Sequence, residues 1–354
     1  MTEEKSSTHK CEVVPVVLEK HPNADSLSIV RVFGYQVCVR TDAWGDKTFG
    51  AYVVPDSVVD VSRPEFAFLA EMSDNKGKTH VRIRAKKLRG VPSYGLLIPV
   101  PEGVKEGDDV AELLGVERYV PPEERNSHGA AQGYVTTKAI PIPGPDVQFH
   151  IPDYHVDAFQ RYAKGAFVDG EMVYVSEKID GANSRYMWDG QRMHIGSHHR
   201  WLEPEGVSMW HKILEVRPEI KAFCMANPNL VLFGEVFGFV QDLHYGMSPG
   251  EINFIAFDVM DNGRWMNVLD MTNLVGKFDV PTAPFIAQMP YDFDQLMAMA
   301  EGPSLYGLTK HYREGVVVRP LIERTEFRIG RVQLKIVSMN YLEAGGKEKP
   351  YKAK

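Results

Sequence analysis

Cysteine is scarce in this chain. Cys11, Cys38 and Cys224 are the three in 354 residues, scattered and odd in number. They make neither a disulfide framework nor a cysteine-based zinc site, and they fit a reducing compartment, cytoplasmic, nucleoid or nuclear, rather than secretion. Long apolar runs are missing as well: none approaches the roughly 20 residues that span a bilayer. The opening MTEEKSSTHK is acidic and polar, without the apolar stretch of a signal peptide. Nor is there an excess of positive charge. Forty Lys and Arg stand against 47 Asp and Glu, a net charge of −7. That balance weighs against a surface that wraps DNA whatever its sequence, but it leaves room for a local basic groove. Internal repeats are absent, and low complexity is confined to a basic tail, 347–354.

What is present divides in two. VVPVVL, LSIVRVF, YQVCVRT and TFGAYVV are short β-branched or aromatic runs, separated by turn chemistry in HPNADS, GY and AWGDK. THVRIRAKKL and SYGLLIPV add strands, so residues 1–120 are expected to form a small β-barrel. The polar, aperiodic VPPEERNSHGAAQG marks a linker, placed at 121–134. From 135 to 346 the pattern is α+β. VDAFQRYAKGAF puts Val156, Phe159, Tyr162 and Ala163 on one helical face. WHKILEVRPEIKAFCMANP is helical with a start or kink at Pro218, and YDFDQLMAMAE is another helix. EMVYVSEK, SRYMWDG, QRMHIGS, NLVLFGEVFG, NFIAFDVM and REGVVVRP are strands, with Asp189-Gly190 a hairpin signal.

Four charged residues fall at the ends of these strands: Lys178 in EKIDG, Glu235 in LFGEVFG, Glu314 in REGVVV and Lys335 in QLKIV. Buried strands rarely carry charge unless it is paired or functional. Singly, each reads as a solvated strand end or a turn. Their order and spacing carry more.

EKIDGAN, FGEVFG, FIAFDV, REGVVVR and QLKIV, in that order, resemble the motifs of the covalent nucleotidyltransferases, which are ATP-dependent DNA and RNA ligases and mRNA capping enzymes. The resemblance spans roughly residues 145–345. Asn183, sixth in KIDGAN, resembles the RNA ligases; DNA ligases usually carry arginine there. RIRAKKLRGVPSYGLL, behind HPNAD, resembles RNA ligases with an OB module ahead of the catalytic domain, where DNA ligases and capping enzymes place theirs after it. The implied fold is an N-terminal OB-like β-barrel, then an adenylyltransferase domain of antiparallel sheets flanked by helices.

The resemblance also implies chemistry. Lys178 attacks the α-phosphate of ATP, the AMP passes to a 5′-phosphate, and a 3′-hydroxyl displaces it, which joins ends in RNA or an RNA-containing nicked duplex. A free lysine has a pKa of about 10.4, so about one in a thousand is neutral near pH 7.4. Carboxylates beside it, Glu177 and Asp180, worsen that; a divalent cation improves it. Mg²⁺ or Mn²⁺ is therefore expected near Lys178, on the hard oxygens of Asp180 and Glu314. Glu235 matches the glutamate that accepts from the ribose hydroxyls, Phe257 the aromatic on adenine, and Lys335 the lysine on the α-phosphate. Asn183 is expected to face substrate, and Glu177 to belong to the ATP site. Arg200 resembles an arginine found about twenty residues after the nucleophile, or is a surface strand end. The last motif usually holds two lysines; here Gln333 or Val337 stands for one, with Gln333 favoured. His198, His199 and His211 lack a metal-ligand spacing and are expected to be solvated or phosphate-facing.

In the first half, Arg82, Arg84, Lys86, Lys87 and Arg89 place five cations within eight residues. On one extended strand 82, 84 and 86 would share a face about 7 Å apart, a spacing suited to successive phosphates. Phe33, Tyr35 and Tyr94 are candidate stacking platforms or core. HPNAD resembles the opening of tRNA-binding OB modules, or is a turn and strand cap. No obligate protein partner is implied. The alternatives are a DNA ligase, a GTP-dependent capping enzyme, or an RNA-binding protein with a decayed transferase domain.

Overall fold

The computed structural model describes residues 9–100, 103–119, 130–131, 134–135, 140–307, 311–344 and 350–351. The chain forms two compact units, 1–120 and 121–354.

The first unit is β-rich. Phe49–Val53 is flanked by Glu12–Pro15 and Leu96–Pro99, both antiparallel, with Ala51 opposite Val13 and Ile98. Leu27–Val32 and Tyr35–Arg40 form a hairpin. Its two-residue turn is Phe33-Gly34, at φ of 48° and 79°, and the left-handed pair matches the strands' twist. Alternate residues of these strands fill two apolar clusters, one around Val13, Ala51, Val59 and Phe66, the other around Val30, Val37, Trp44 and Tyr52. Tyr94 is fully buried and belongs to the core, so it offers no platform.

The basic run is not one strand. His80–Arg82 pairs with Ser57–Asp60, the chain leaves the sheet at 83–85, and Lys86–Leu88 pairs instead with Val91–Ser93. Arg82 turns to Asp56, at 2.8 Å, and lies 3.7 Å over the Tyr119 ring. Arg84, Lys86, Lys87 and Arg89 are exposed. The expected shared face of 82, 84 and 86 is therefore broken, because residues 81–82 and 86–88 belong to different ladders. HPNAD explains the second piece. Buried His21 contacts the Leu88 carbonyl through Nε2 at 3.3 Å, and Asn23 Nδ2 donates to the Arg89 carbonyl at 2.9 Å. Those residues clip the basic hairpin in place.

The second unit holds two sheets. The larger runs, in spatial order, Pro141–Ile142, Trp201–Leu202, Met193–Ser197, Gly181–Trp188, Leu230–Gly238, Ile252–Asp261 and Arg264–Trp265, all antiparallel. The smaller runs Asp157–Ala158, Leu334–Val337, Gly315–Pro320, Met172–Lys178 and Phe285–Pro290. Its one parallel pair is Asp157–Ala158 with Leu334–Lys335. The helix expected from 156 starts only at Phe159, because 157–158 are drawn into that edge.

Each sheet has one apolar face covered by helices. Helices Met209–Val216 and Pro218–Ala226, the second opening on Pro218, pack against Tyr186, Leu232, Val236 and Phe254. Helices Phe159–Ala166 and Phe293–Met299 cover Val173, Val175, Val316, Val318, Leu334 and Ile336. Each such side chain contributes roughly 1.5–3 kcal/mol on burial. The opposite faces carry the polar residues, beside an apolar cluster of Met187, Val231, Phe233 and Met260 on the larger sheet, and they meet: Asp258 of the larger sheet accepts from Arg319 of the smaller at 3.1 Å.

Most of the expected linker lies outside the described residues. Within it, Ala130–Ala131 pairs with Tyr134–Val135. Of the tail, 350–351 are described, and Pro350 bridges to His311.

Candidate active site

Two glycines make the cleft between the polar faces. Gly315 sits opposite Lys178 on one side and Val337 on the other. A Cβ there would lie 2.0 Å from the Ile336 carbonyl oxygen, and one on Gly181 would lie 2.4 Å from the Val236 oxygen. The glycines after Glu314 and Asp180 are thus needed for close strand approach, which brings their charged neighbours to the sheet ends.

Side chains alternate along Met172–Lys178, so Tyr174, Ser176 and Lys178 share the open face and Glu177 lies on the other. Lys178 Nζ stands 2.7 Å from both oxygens of Glu314. The lysine side chain keeps 25% exposure; that of Glu314 keeps 11%. Burial alone would lower the amine's pKa, but Glu314, then Glu235 and Asp180, outweigh it and hold it above its ordinary value. Asp180 is 8% exposed, its Oδ2 accepts from the Leu243 amide at 2.9 Å, and its own amide donates to the Tyr245 hydroxyl at 2.7 Å. Burial, then the Glu314 charge, pushes the Asp180 carboxyl up to about 8.

Glu235 pairs across the ladder with Asn183 and so reaches the same face of the larger sheet. Asn183 Oδ1 is buried with no hydrogen-bond partner among the described residues. Lys335, opposite Val317, lies on the open face of the smaller sheet, two strands from Lys178. Phe257 is the extra residue of a bulge in Ile252–Asp261, where Phe233 pairs with Asp258 and Gly234 with Ala256. It lines a pocket with Tyr174, Ser176, Met271, Thr282 and Arg319.

Glu177 does not join the cluster. Its carboxylate accepts from Ser304 Oγ and the Leu305 amide, each at 2.6 Å, on the helix-covered side. The expectation that it crowds Lys178 or offers its side chain to ATP fails because strand alternation turns it away. Arg200 is exposed in the turn before Trp201–Leu202.

Residues 171–337 match the RNA ligase family, and residues 12–100 match an OB-fold domain. The catalytic unit belongs to the RNA ligase family. No curated protein matches the chain. Solved structures of the Naegleria gruberi RNA ligase share the fold. A lysine-to-alanine mutant with ATP and Mn is 21% identical, covering 94% of this chain and 97% of that one, at a TM-score of 0.75. The form with PPi is 20% identical over 94% and 97%, at 0.73. A lysine-to-methionine mutant with AMP and Mn is 21% identical over 94% and 97%, also at 0.73. An RNA ligase domain behind an OB-fold domain is what the strand-end motifs and the order of the two halves imply, and the chain is an enzyme of that type.

The ligase domain also holds a polar network absent from the sequence-based expectations. Asp258, with no exposure, accepts from Arg331 at 2.6 Å, Tyr154 at 2.7 Å and Arg319 at 3.1 Å. Despite burial, Arg331 and then Arg319 hold its carboxyl below the usual range. Arg319 further donates to the Phe257 carbonyl at 3.3 Å, and Gln333 Nε2 to Tyr154 at 2.7 Å. Gln333 is thus engaged with Tyr154. An aspartate inside FIAFDV was the signal that could have found the network. His211 bonds Ser208 and the Glu203 carbonyl and stands apart from His198 and His199.

Proposed function

We propose that this RNA ligase uses ATP and a divalent cation to seal 3′-hydroxyl and 5′-phosphate ends, at nicks in duplexes, through an AMP adduct on Lys178. The observation that carries it is the Lys178–Glu314 pair at 2.7 Å, in a cleft that also receives Asp180 and Glu235. A solved RNA ligase structure of the same fold holds ATP and Mn.

Lys178 Nζ forms a bond to the α-phosphorus as the bond to the β-phosphate oxygen breaks, and pyrophosphate leaves. A 5′-phosphate oxygen then takes the AMP from the nitrogen, and a 3′-oxygen displaces AMP to make the phosphodiester. For the first step the ammonium must lose its proton. The hard oxygens of Glu314 and Asp180 fit Mg²⁺ or Mn²⁺, which when bound would neutralise the carboxylates that keep Lys178 charged and offset phosphate charge. Lys335 supplies a mobile cation to the phosphoryl oxygens. Glu235 accepts from the ribose hydroxyls. Phe257 offers its ring to adenine, with Arg319 bracing the bulge that carries it. The unpartnered Asn183 Oδ1 is available to substrate.

The test is incubation with ATP labelled at the α-phosphate and Mg²⁺ or Mn²⁺, then electrophoresis. Labelled protein is expected from the wild type and none from Lys178→Ala; an adduct on the variant overturns the assignment of Lys178. Nicked duplexes with each strand varied between RNA and DNA then define the joined ends, and failure on every nick overturns nick sealing.

A further inference from the structure

A second group of side chains in the ligase domain has the composition of a metal site. His155 comes from the segment before Asp157–Ala158; His198 and His199 follow Met193–Ser197. Each offers a ring nitrogen, and these nitrogens lie within 4.8 Å of one another. Ring centroids are 3.9 Å apart for His198 and His199, and 4.7 Å for His155 and His198. The sequence hides this triad because His155 is 43 positions before His198 in the chain.

Two further contacts organise the group. Asp153 Oδ2 lies 3.0 Å from His199 Nδ1. A carboxylate there accepts a hydrogen bond from Nδ1–H and leaves Nε2 as a lone-pair donor, the arrangement that orients metal-ligating histidines. Arg185, 3% exposed, donates to the Pro152 carbonyl at 3.2 Å and faces Asp153 at 3.8 Å, tying the His155 segment to the Asn183 strand. His198 is 8% exposed, whereas His155 and His199 are exposed.

We propose that His155, His198 and His199 bind one transition-metal ion of the zinc class, with Asp153 orienting His199 and one coordination position left open. Zn–N bonds of about 2.0–2.1 Å put tetrahedral nitrogens about 3.3 Å apart, so the ring nitrogens close by up to about 1.5 Å on binding. Imidazoles favour zinc, cobalt, nickel and copper, while the Asp180 and Glu314 oxygens favour magnesium and manganese. The chain would then sort two classes of ion between two sites. The His198–His199 turn also carries Arg200, and Ser197 pairs with Ser184, the neighbour of Asn183. An ion there places a ligand position open to a phosphate oxygen beside the strand that bears Asn183. This site does not depend on the role assigned to Lys178.

The experiment uses the full chain stripped with EDTA. Cobalt(II) titration followed by visible absorption, with millimolar Mg²⁺ present to fill hard-oxygen sites, is expected to show one equivalent with a tetrahedral spectrum. The double variant His155→Ala, His199→Ala should lose that binding, Asp153→Asn should weaken it about 10–100-fold, and His211→Ala should leave it unchanged. Zinc should also protect His155 and His199 of the wild type from diethyl pyrocarbonate, read by mass spectrometry, which needs no variant to fold. Absence of stoichiometric binding, binding retained by the double variant, or no protection overturns the site.

Discussion

Glu177 and Lys178 are adjacent in the chain and serve opposite faces of one sheet. Lys178 Nζ reaches Glu314 at 2.7 Å, while the Glu177 carboxylate holds Ser304 and the Leu305 amide on the helix-covered side. The charges that govern the nucleophile are therefore Glu314, Glu235 and Asp180, and not its immediate neighbour Glu177.

Removing the Glu314 charge should free the amine. With no ATP or metal present, Glu314→Gln is expected to lower the Lys178 pKa, because that carboxylate does most to hold it up. The check is the pH profile of Lys178 acylation by mass spectrometry, which should move to lower pH. Glu177→Gln should leave the profile in place. An unmoved profile in Glu314→Gln contradicts the electrostatic account.

Asp180 should cost stability at neutral pH. Its folded pKa of about 8 lies above its ordinary 3.8, so the folded state binds the proton more tightly. The stabilisation from that proton is full below about pH 4 and is lost as pH rises to about 8. Asp180→Asn is therefore expected to melt several degrees higher than wild type at pH 8 in EDTA, with little difference at pH 4.5, while forming no AMP adduct. Equal melting shifts at both pH values would refute the sign.

Asp258→Ala leaves Arg319 and Arg331 facing each other in a buried site. Breaking a buried pair from one side costs about 3–5 kcal/mol, and chemical denaturation should show a loss of that order. Asp258→Ala should also weaken ATP binding, because Arg319 braces the Phe257 backbone.

Gly315→Ala should open the sheet. Its Cβ would meet the Ile336 oxygen at 2.0 Å, a contact that backbone must move to relieve. Overpacking of this kind costs about 1–3 kcal/mol or more. Melting and adduct formation should fall together, whereas Gly330→Ala, at an open hairpin position, should leave adduct formation unchanged.

Reversing Arg84, Lys86 and Lys87 to Glu is expected to weaken RNA binding and flatten its salt dependence without changing adduct formation. Arg82→Glu differs: it breaks the Asp56 pair and the Tyr119 contact and should lower the melting temperature of the first unit. Titrations at several salt concentrations and melting curves separate the two effects.

Several elements are legible along the chain because their causes are local. Pro218 opens a helix, Asp189-Gly190 turns a hairpin, and strand runs at 230–238, 252–261 and 315–320 carry continuous apolar side chains. Lys178, Glu235, Glu314 and Lys335 stand out because charge at the end of such a strand needs a reason. The basic run did not behave as one strand, since a switch between ladders at 83–85 depends on which partners the chain meets.

Sequence order alone thus determined the kind of protein, an α+β RNA ligase domain behind an OB-fold domain, because those motifs are strung along single strands. Only tertiary structure decided which charges act together. Register and side-chain alternation place Glu314 on Lys178, turn Glu177 away, join Asp258 to two arginines, and bring His155 to His198 and His199. Those pairings depend on strands more than a hundred residues apart in the case of Lys178 and Glu314, and no local pattern encodes them.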